Sequence, residues 1–170
     1  MDQFYEQLIT TNKTGLYKIV NGAMFVFAIV GLASFTANLI LMVILLGMAV
    51  ACFFYKQKLF VEYEYQFTNG EIDIEKIIEM KKRKKVVTFN IKEVGLLAPE
   101  GSDVVKDYPN KPNNIVKCYP NTSRAKVYVA VVTEGNNKMQ LMFVPDEKFL
   151  DICFKTNPRA VKKNMAWDKK

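Results

Sequence analysis

The chain has 170 residues, with 24 lysines and arginines against 17 aspartates and glutamates, so its formal net charge is +7. Histidine is absent, which excludes Ser-His-Asp triads, Cys-His pairs and zinc sites with a histidine ligand. Three widely spaced cysteines form no C-x-x-C pair, which is typical of small buried side chains in a reducing compartment. We therefore predict a protein that is not an enzyme and has no cofactor and no metal site.

The N-terminal segment, residues 1–18, is polar apart from the stretch QFYEQLIT. The spacing of Phe4, Leu8 and Ile9 predicts a short amphipathic helix that lies at a membrane interface. A frayed terminus is the alternative interpretation.

Residues 19–55 follow, and these 37 residues include no charged side chain. One membrane-spanning helix needs about 20 apolar residues, so this run is too long for one span and fits two. The most polar patch inside it, SFTAN at 34–38, divides it into predicted helices at 19–35 and 38–55. The sequence thus predicts a transmembrane helical hairpin over 19–56. Because the spans carry no ionisable residue, an ion path within this chain is disfavoured.

The orientation of the hairpin follows from its flanking cations. Lys13 and Lys18 precede the run, Lys56 and Lys58 follow it, and the tip between the two helices has none. The excess of lysine on the cytoplasmic side of membrane proteins places both termini in the cytoplasm.

A β-hairpin is predicted after the spans, in KLFVEYEYQFTNGEIDIEKII, because apolar and polar residues alternate on both sides of Asn69-Gly70. One face is apolar and belongs to the core. The other face is an acidic stripe made of Glu62, Glu64, Gln66, Glu71, Asp73 and Glu75. We interpret this stripe as a solvated sheet face rather than a cation site, because an open face lacks the enclosing oxygen ligands that calcium requires.

The most charged stretch, MKKRKK at 80–85, precedes a third predicted strand at 85–91, so a turn is expected at 80–83. The candidate contact residues for an anionic lipid or a partner are Lys81, Lys82, Arg83, Lys84 and Lys85, together with Lys56 and Lys58. A solvated turn is the alternative. Nucleic-acid binding is disfavoured, because the aromatic residues of the hairpin fall on its core face and not beside the cations.

The remaining sequence predicts a short strand at 94–98, a long connection at 99–114, a short strand near 115–119 and a hairpin of 125–133 with 138–144. Connections of that length are either functional or mobile. A helix is predicted from Pro145, since proline and acidic residues are favoured in a first helical turn. The basic tail 159–170 is predicted to be disordered.

About seven short antiparallel strands and a C-terminal helix resemble the pleckstrin-homology-like (PH-like) fold, which is an α+β architecture. The stretches VEYEYQFTNGEIDI, LLAPEG and FVPDEKFLDICFKTNPRAV also resemble an uncharacterised family of small membrane proteins from Gram-positive bacteria. This resemblance implies a transmembrane hairpin in the bacterial plasma membrane, followed by a PH-like β-barrel or sandwich over 57–158. It implies no catalytic motif. Phosphoinositide-binding PH domains resemble one another in a basic first hairpin loop, whereas the loop here is Asn69-Gly70 between acidic strands.

Three functional hypotheses remain open. The first is a membrane-anchored interaction or scaffold module that binds an unknown protein or a second copy of this chain through a sheet edge or the 99–114 connection. The second is a domain that engages anionic lipid headgroups through the basic tip at 81–85. The third is an accessory subunit of a larger membrane complex.

Overall fold

The computed structural model describes residues 3–109, 112, 114–134 and 137–162. Its elements in chain order are β1 (Phe4–Ile9), α1 (Gly15–Ala33), α2 (Leu39–Leu59), β2 (Val61–Thr68), β3 (Glu71–Ile78), β4 (Lys82–Asn90), β5 (Val94–Pro99), α3 (Asp103–Lys106), β6 (Ile115–Lys117), β7 (Tyr128–Glu134), β8 (Asn137–Phe143) and α4 (Glu147–Thr156). They form two compact units. The helical unit is Thr11–Val61 with Ile78–Lys82, and the β unit is Met1–Thr10, Glu62–Ile77 and Arg83–Lys170.

The helical unit is built on α1 and α2, which are joined by a turn at the predicted polar break. With 19 and 21 residues, the helices are about 29 and 32 Å long, which matches a bilayer core. Both are long and apolar enough to cross a membrane, and only 6% of the most apolar stretch of each helix is buried. Gly31 permits the close contact between them, since a Cβ there would lie 3.2 Å from Leu45. The prediction of two apolar helices is confirmed.

The first residues form strand β1, so the predicted amphipathic helix is wrong. β1 pairs antiparallel with β2, from Phe4 opposite Thr68 to Ile9 opposite Tyr63. The side chain of Gln7 anchors β1 further, because it donates to the Val144 carbonyl at 3.0 Å. The spacing was ambiguous for a physical reason: residues four apart share a face in a helix and also in a strand.

The first sheet has the order β1-β2-β3-β4. The predicted hairpin of β2 and β3 is confirmed, and its two loop residues have the positive φ angles of a tight turn, 50° at Asn69 and 99° at Gly70. The predicted core face is buried at Tyr65, Phe67, Ile72 and Ile74, which are 0% exposed, whereas Ile78 at its end is only partly buried.

The second sheet has the order β5-β7-β8-β6, and β6 runs parallel to β8. The predicted hairpin of β7 and β8 is confirmed, while residues 135 and 136 of its turn lie outside the described residues. The edge of β5 is covered by the chain after α4, because Leu97 donates its N–H to the Ala160 carbonyl at 2.9 Å. The prediction of a disordered tail from 159 is therefore wrong at Ala160 and Val161, which are buried, and residues 163–170 lie outside the described residues.

The core between the two sheets is centred on Phe149 of α4. Its ring lies 6.1 to 6.2 Å from the rings of Tyr65, Phe67 and Phe143. The Tyr65 hydroxyl donates to the Cys118 carbonyl at 2.5 Å, and burial raises the pKa of this phenol. α4 is the predicted C-terminal helix, but it begins at Glu147 with Asp146 as its N-cap, so Pro145 precedes it and does not lie in its first turn. The described residues form an α+β sandwich of eight strands, against which α4 packs its apolar face.

The long connection after β5 folds over the outer face of the second sheet. Val105 of the short helix α3 packs in a cluster with Leu96, Val129 and other apolar residues, and Tyr108 packs against it. Farther along, the Pro112 carbonyl accepts a hydrogen bond from Gln140 Nε2 at 2.6 Å. The described part of this connection therefore covers apolar surface.

A cross-strand disulfide tests the position of β1. Phe4 and Thr68 are directly opposite each other and exposed, so Phe4→Cys with Thr68→Cys is expected to oxidise readily in the full-length protein. The disulfide is measured by mass spectrometry after proteolysis. Phe4→Cys with Lys126→Cys is the matched control, and equal cross-linking in both pairs would contradict the strand pairing.

Candidate functional site

The basic run at 80–85 is divided between a turn and a strand. Met80 and Lys81 lie in the turn, and Lys82 already begins β4. The predicted turn at 80–83 is therefore displaced toward the N-terminus. This displacement matters because strand residues alternate between the two faces of the sheet, so neighbouring cations point in opposite directions.

Two of the cations on β4 are ion-paired with the acidic stripe of the sheet. Arg83 Nη1 lies 2.6 Å from Glu64 Oε2 and 3.9 Å from Glu75 Oε2. Lys85 Nζ lies 2.7 Å from Asp73 Oδ1. Glu64 and Glu75 lie on neighbouring strands and carry like charges, and the positive charge of Arg83 between them offsets their repulsion. These two cations neutralise the protein's own carboxylates, which leaves less charge for an external anion.

The centre of the acidic stripe is buried, so its interpretation as a solvated face is wrong there. Glu64 is 1% exposed and Glu62 is 5% exposed. Glu64 lies on the second of four strands, and its Oε1 accepts a hydrogen bond from Gln66 Nε2 at 3.3 Å.

Glu64 also shares a hydrogen bond with the carboxyl of Glu6 on β1. Burial acts to raise the pKa of Glu64, but the hydrogen bonds from Glu6 and Gln66 and the charge of Arg83 outweigh it and leave the pKa lowered. The hydrogen bond to Glu64 raises the pKa of Glu6. Two carboxyls that meet beside one cation thus shift each other's pKa in opposite directions.

Asp73 on β3 is likewise bound by side chains of a neighbouring strand, β4. It accepts a hydrogen bond from the Thr88 hydroxyl and the ion pair from Lys85. Burial acts to raise the pKa of Asp73, but these two partners outweigh it and lower the pKa below the ordinary value of the carboxyl.

Lys56, predicted as a contact residue, is also engaged, but within the helical unit. Its side chain is 12% exposed, and its Nζ lies 3.5 Å from Glu79 Oε1 and 3.2 Å from Asn21 Oδ1. Glu79 in addition accepts a hydrogen bond from the Tyr17 hydroxyl at 3.3 Å and donates its backbone N–H to the Phe60 carbonyl at 3.1 Å. We call this set of contacts the Glu79 latch.

Four of the seven predicted cations, Lys58, Lys81, Lys82 and Lys84, are exposed and have no ion-pair partner among the described residues. Arg83, Lys85 and Lys56 are occupied. The Glu79 latch itself was not predicted, because Asn21, Tyr17 and Lys56 are distant from Glu79 in sequence and no motif marks their meeting.

The chemistry available at these residues is electrostatic. Among the described residues, no group of three or more histidine, cysteine, aspartate or glutamate side chains is arranged to hold a metal ion. Burial raises the pKa of Cys118 and of Cys153 to about 12, so both thiols are protonated and weakly nucleophilic at neutral pH. The exposed cations can attract anions, and the paired ones stabilise the sheet.

The Arg83–Glu64 ion pair can be tested against the neighbouring cation. Arg83→Ala leaves Glu64 buried without its cation and is expected to destabilise the fold by about 1–2 kcal/mol, since Arg83 is itself half exposed. Lys84→Ala removes the same charge from an unpaired side chain and is expected to change stability little. The thermal unfolding midpoint of the purified protein in detergent measures both. Equal midpoints for the two variants would contradict the assigned role.

The pH dependence of stability tests Asp73. Because its pKa is lowered in the folded state, Asp73 stabilises the fold above the pKa of an unfolded aspartate, about 3.9, and this contribution is lost as the pH falls through the folded-state pKa. Asp73→Asn is therefore expected to lower the unfolding midpoint at pH 7 and to match the wild type near pH 2. Asp107→Asn is the exposed control. A difference that persists unchanged at low pH would contradict the ion pair.

Comparison with known proteins gives one family. The family described as "Bacterial PH-like domain (DUF6106)" matches residues 1–163, which include β1, both helices and the whole described sandwich. No curated protein matches, and no solved structure matches. Because the match spans nearly all of the sequence, the chain belongs to this family of bacterial PH-like domains.

Proposed function

We propose that this protein is a non-enzymatic interaction module of the bacterial plasma membrane, with its β unit and both termini in the cytoplasm. The two apolar helices form the anchor, and the protein partner adds an extended strand to the free edge of β1. The observation that carries the proposal is the difference between β1 and the other three sheet edges.

Membrane anchoring is supported by the surface of the helices. Large apolar side chains stand exposed along both, for example Ile29 at 66% and Ile40 at 75%. Exposed apolar surface on this scale is unfavourable in water and favourable in lipid. Lysines flank both outer ends of the hairpin, which favours a cytoplasmic location for these ends.

The pairing of β1 with β2 supports an even number of spans. These two strands flank the hairpin in sequence and are hydrogen-bonded neighbours in one sheet. A single span, or any odd number, would leave them on opposite sides of the bilayer. Two spans meet this requirement.

The four edges of the two described sheets differ in how they are protected against the addition of another strand. β4 begins with lysines, which oppose the addition of another strand, and β6 has only three residues. β5 is covered at Leu97, which accepts from the Lys162 N–H at 2.7 Å. β1 has six residues, a single charge at Glu6, and two exposed apolar side chains, Phe4 at 63% and Leu8 at 50%.

The features of β1 define the kind of partner. An added strand gains affinity from its main-chain hydrogen bonds and specificity from alternate side chains. Here the alternate side chains are Phe4 and Leu8, so the partner segment is extended and carries apolar residues at alternate positions. A second copy paired about Glu6 would place two carboxyl groups opposite each other, which is unfavourable. We therefore assign the partner as a different protein.

Photo-crosslinking in living cells tests this proposal. A benzophenone amino acid at position 4 of the full-length protein is expected to form one adduct with another protein, and the same probe at position 84 on the opposite edge is not. Leu8→Lys places an edge lysine on β1 and is expected to abolish the adduct.

The other outcomes would overturn the assignment. Equal adducts at positions 4 and 84 would mean that β1 is not the preferred edge. An adduct with twice the mass of the chain would identify a second copy as the occupant. An adduct that survives Leu8→Lys would exclude strand addition.

A further inference from the structure

We infer that the turn of Met80, Lys81 and Lys82 is a second contact surface, which binds anionic lipid headgroups of the bilayer that holds the hairpin. Met80 enters the interfacial layer, and the two lysines bind headgroup phosphates. The inference goes beyond the proposed strand-binding function and shares with it only the membrane anchor.

The Glu79 latch places this turn beside the ends of the two helices. Ile78–Lys82 belongs to the same compact unit as α1 and α2. Within that unit the Glu79 carboxylate contacts Lys56 of α2 and Tyr17 of α1. Lys56 directly follows the uncharged run, and the end of such a run marks the boundary between hydrocarbon and headgroups. The turn is therefore held at headgroup level when the helices span the membrane.

The backbone of the turn has an unusual conformation. Glu79 and Met80 have φ angles of 50° and 56°, in the left-handed region that side chains with a Cβ rarely adopt. The preceding tight turn of this chain uses Asn69-Gly70 for the same need. Two successive strained residues of this kind occur at functional positions, where surrounding contacts hold them in place. Here the latch supplies those contacts through Glu79.

The side chains of the turn match a lipid surface and not a solvated loop. Met80 is 68% exposed although it is apolar and flexible, and Lys81 and Lys82 beside it are exposed. Both lysines lack an ion-pair partner among the described residues, in contrast to Arg83. An apolar side chain next to unpaired cations is the composition that gains from insertion into an anionic interface. Exposed Lys58, in the last turn of α2, adds to the same charge.

Spin labelling of the full-length protein in vesicles tests the inference. Met80→Cys in a Cys52→Ala background carries a nitroxide, and the protein is reconstituted in phosphatidylcholine alone or with three parts in ten phosphatidylglycerol. The readout is the ratio of accessibility to oxygen, which enters lipid, over that to a water-soluble nickel chelate. The ratio is expected to rise severalfold in the anionic vesicles and to fall again in high salt, because salt screens the attraction.

Matched variants separate the turn from net charge and from folding. Lys81→Ala with Lys82→Ala is expected to return the label to water in anionic vesicles. Lys92→Ala with Lys126→Ala removes the same charge from exposed sites elsewhere and is expected to leave the ratio unchanged. Glu79→Ala removes the latch carboxylate and is expected to lower the ratio with both lysines present. A label at position 100, in Glu100→Cys, is expected to be insensitive to lipid composition.

Two results would overturn the inference. A label at position 80 that is equally accessible to the chelate in neutral and anionic vesicles would identify a solvated turn. A label shielded from both reagents in both vesicles would show that protein covers the turn. Neither result bears on crosslinking at position 4, so this inference and the strand-binding proposal can fail independently.

Discussion

The pairing of β1 with β2 is the constraint on which the rest of the structure depends. β1 precedes the two apolar helices in the chain and pairs with β2, which follows them. The β unit is therefore discontinuous in sequence, with α1 and α2 inserted between its first two strands. The same pairing carries Glu6 to Glu64 and Gln7 to Val144. It thereby helps to bury the acidic centre of the sheet and places β1, with its exposed Phe4 and Leu8, at a sheet edge.

The charge of the protein separates into two parts once the sheet has formed. Arg83 and Lys85 lie against the acidic stripe and offset the repulsion among the carboxylates that they contact, Glu64, Glu75 and Asp73. Lys81, Lys82 and Lys84 have no such partner among the described residues. Of the five consecutive cations, two are thus structural and three are available.

The two turns at the ends of β3 serve different purposes. Asn69-Gly70 adopts positive φ angles at low cost, and its sequence is the usual one for a two-residue hairpin. Glu79-Met80 adopts similar angles with residues that disfavour them, and it is held by contacts to both helices. The first turn gives the register of the sheet. The second ties the junction of β3 and β4 to the helix ends and presents a side chain, Met80, that water does not favour.

Local and periodic signals let the sequence alone determine the two apolar helices, the hairpin at Asn69-Gly70 and the existence of the C-terminal helix, although not its start at Glu147. Each depends on residues close together in the chain, where hydrophobic length, backbone φ preference and capping act directly. Only the tertiary structure decided that β1 is a strand, because spacing by four residues suits a helix and a strand equally and the open edge of β2 selects between them. It likewise decided the burial of Glu64 and the Glu79 latch, since their partners come from segments that are far apart in sequence and meet only when the chain is folded.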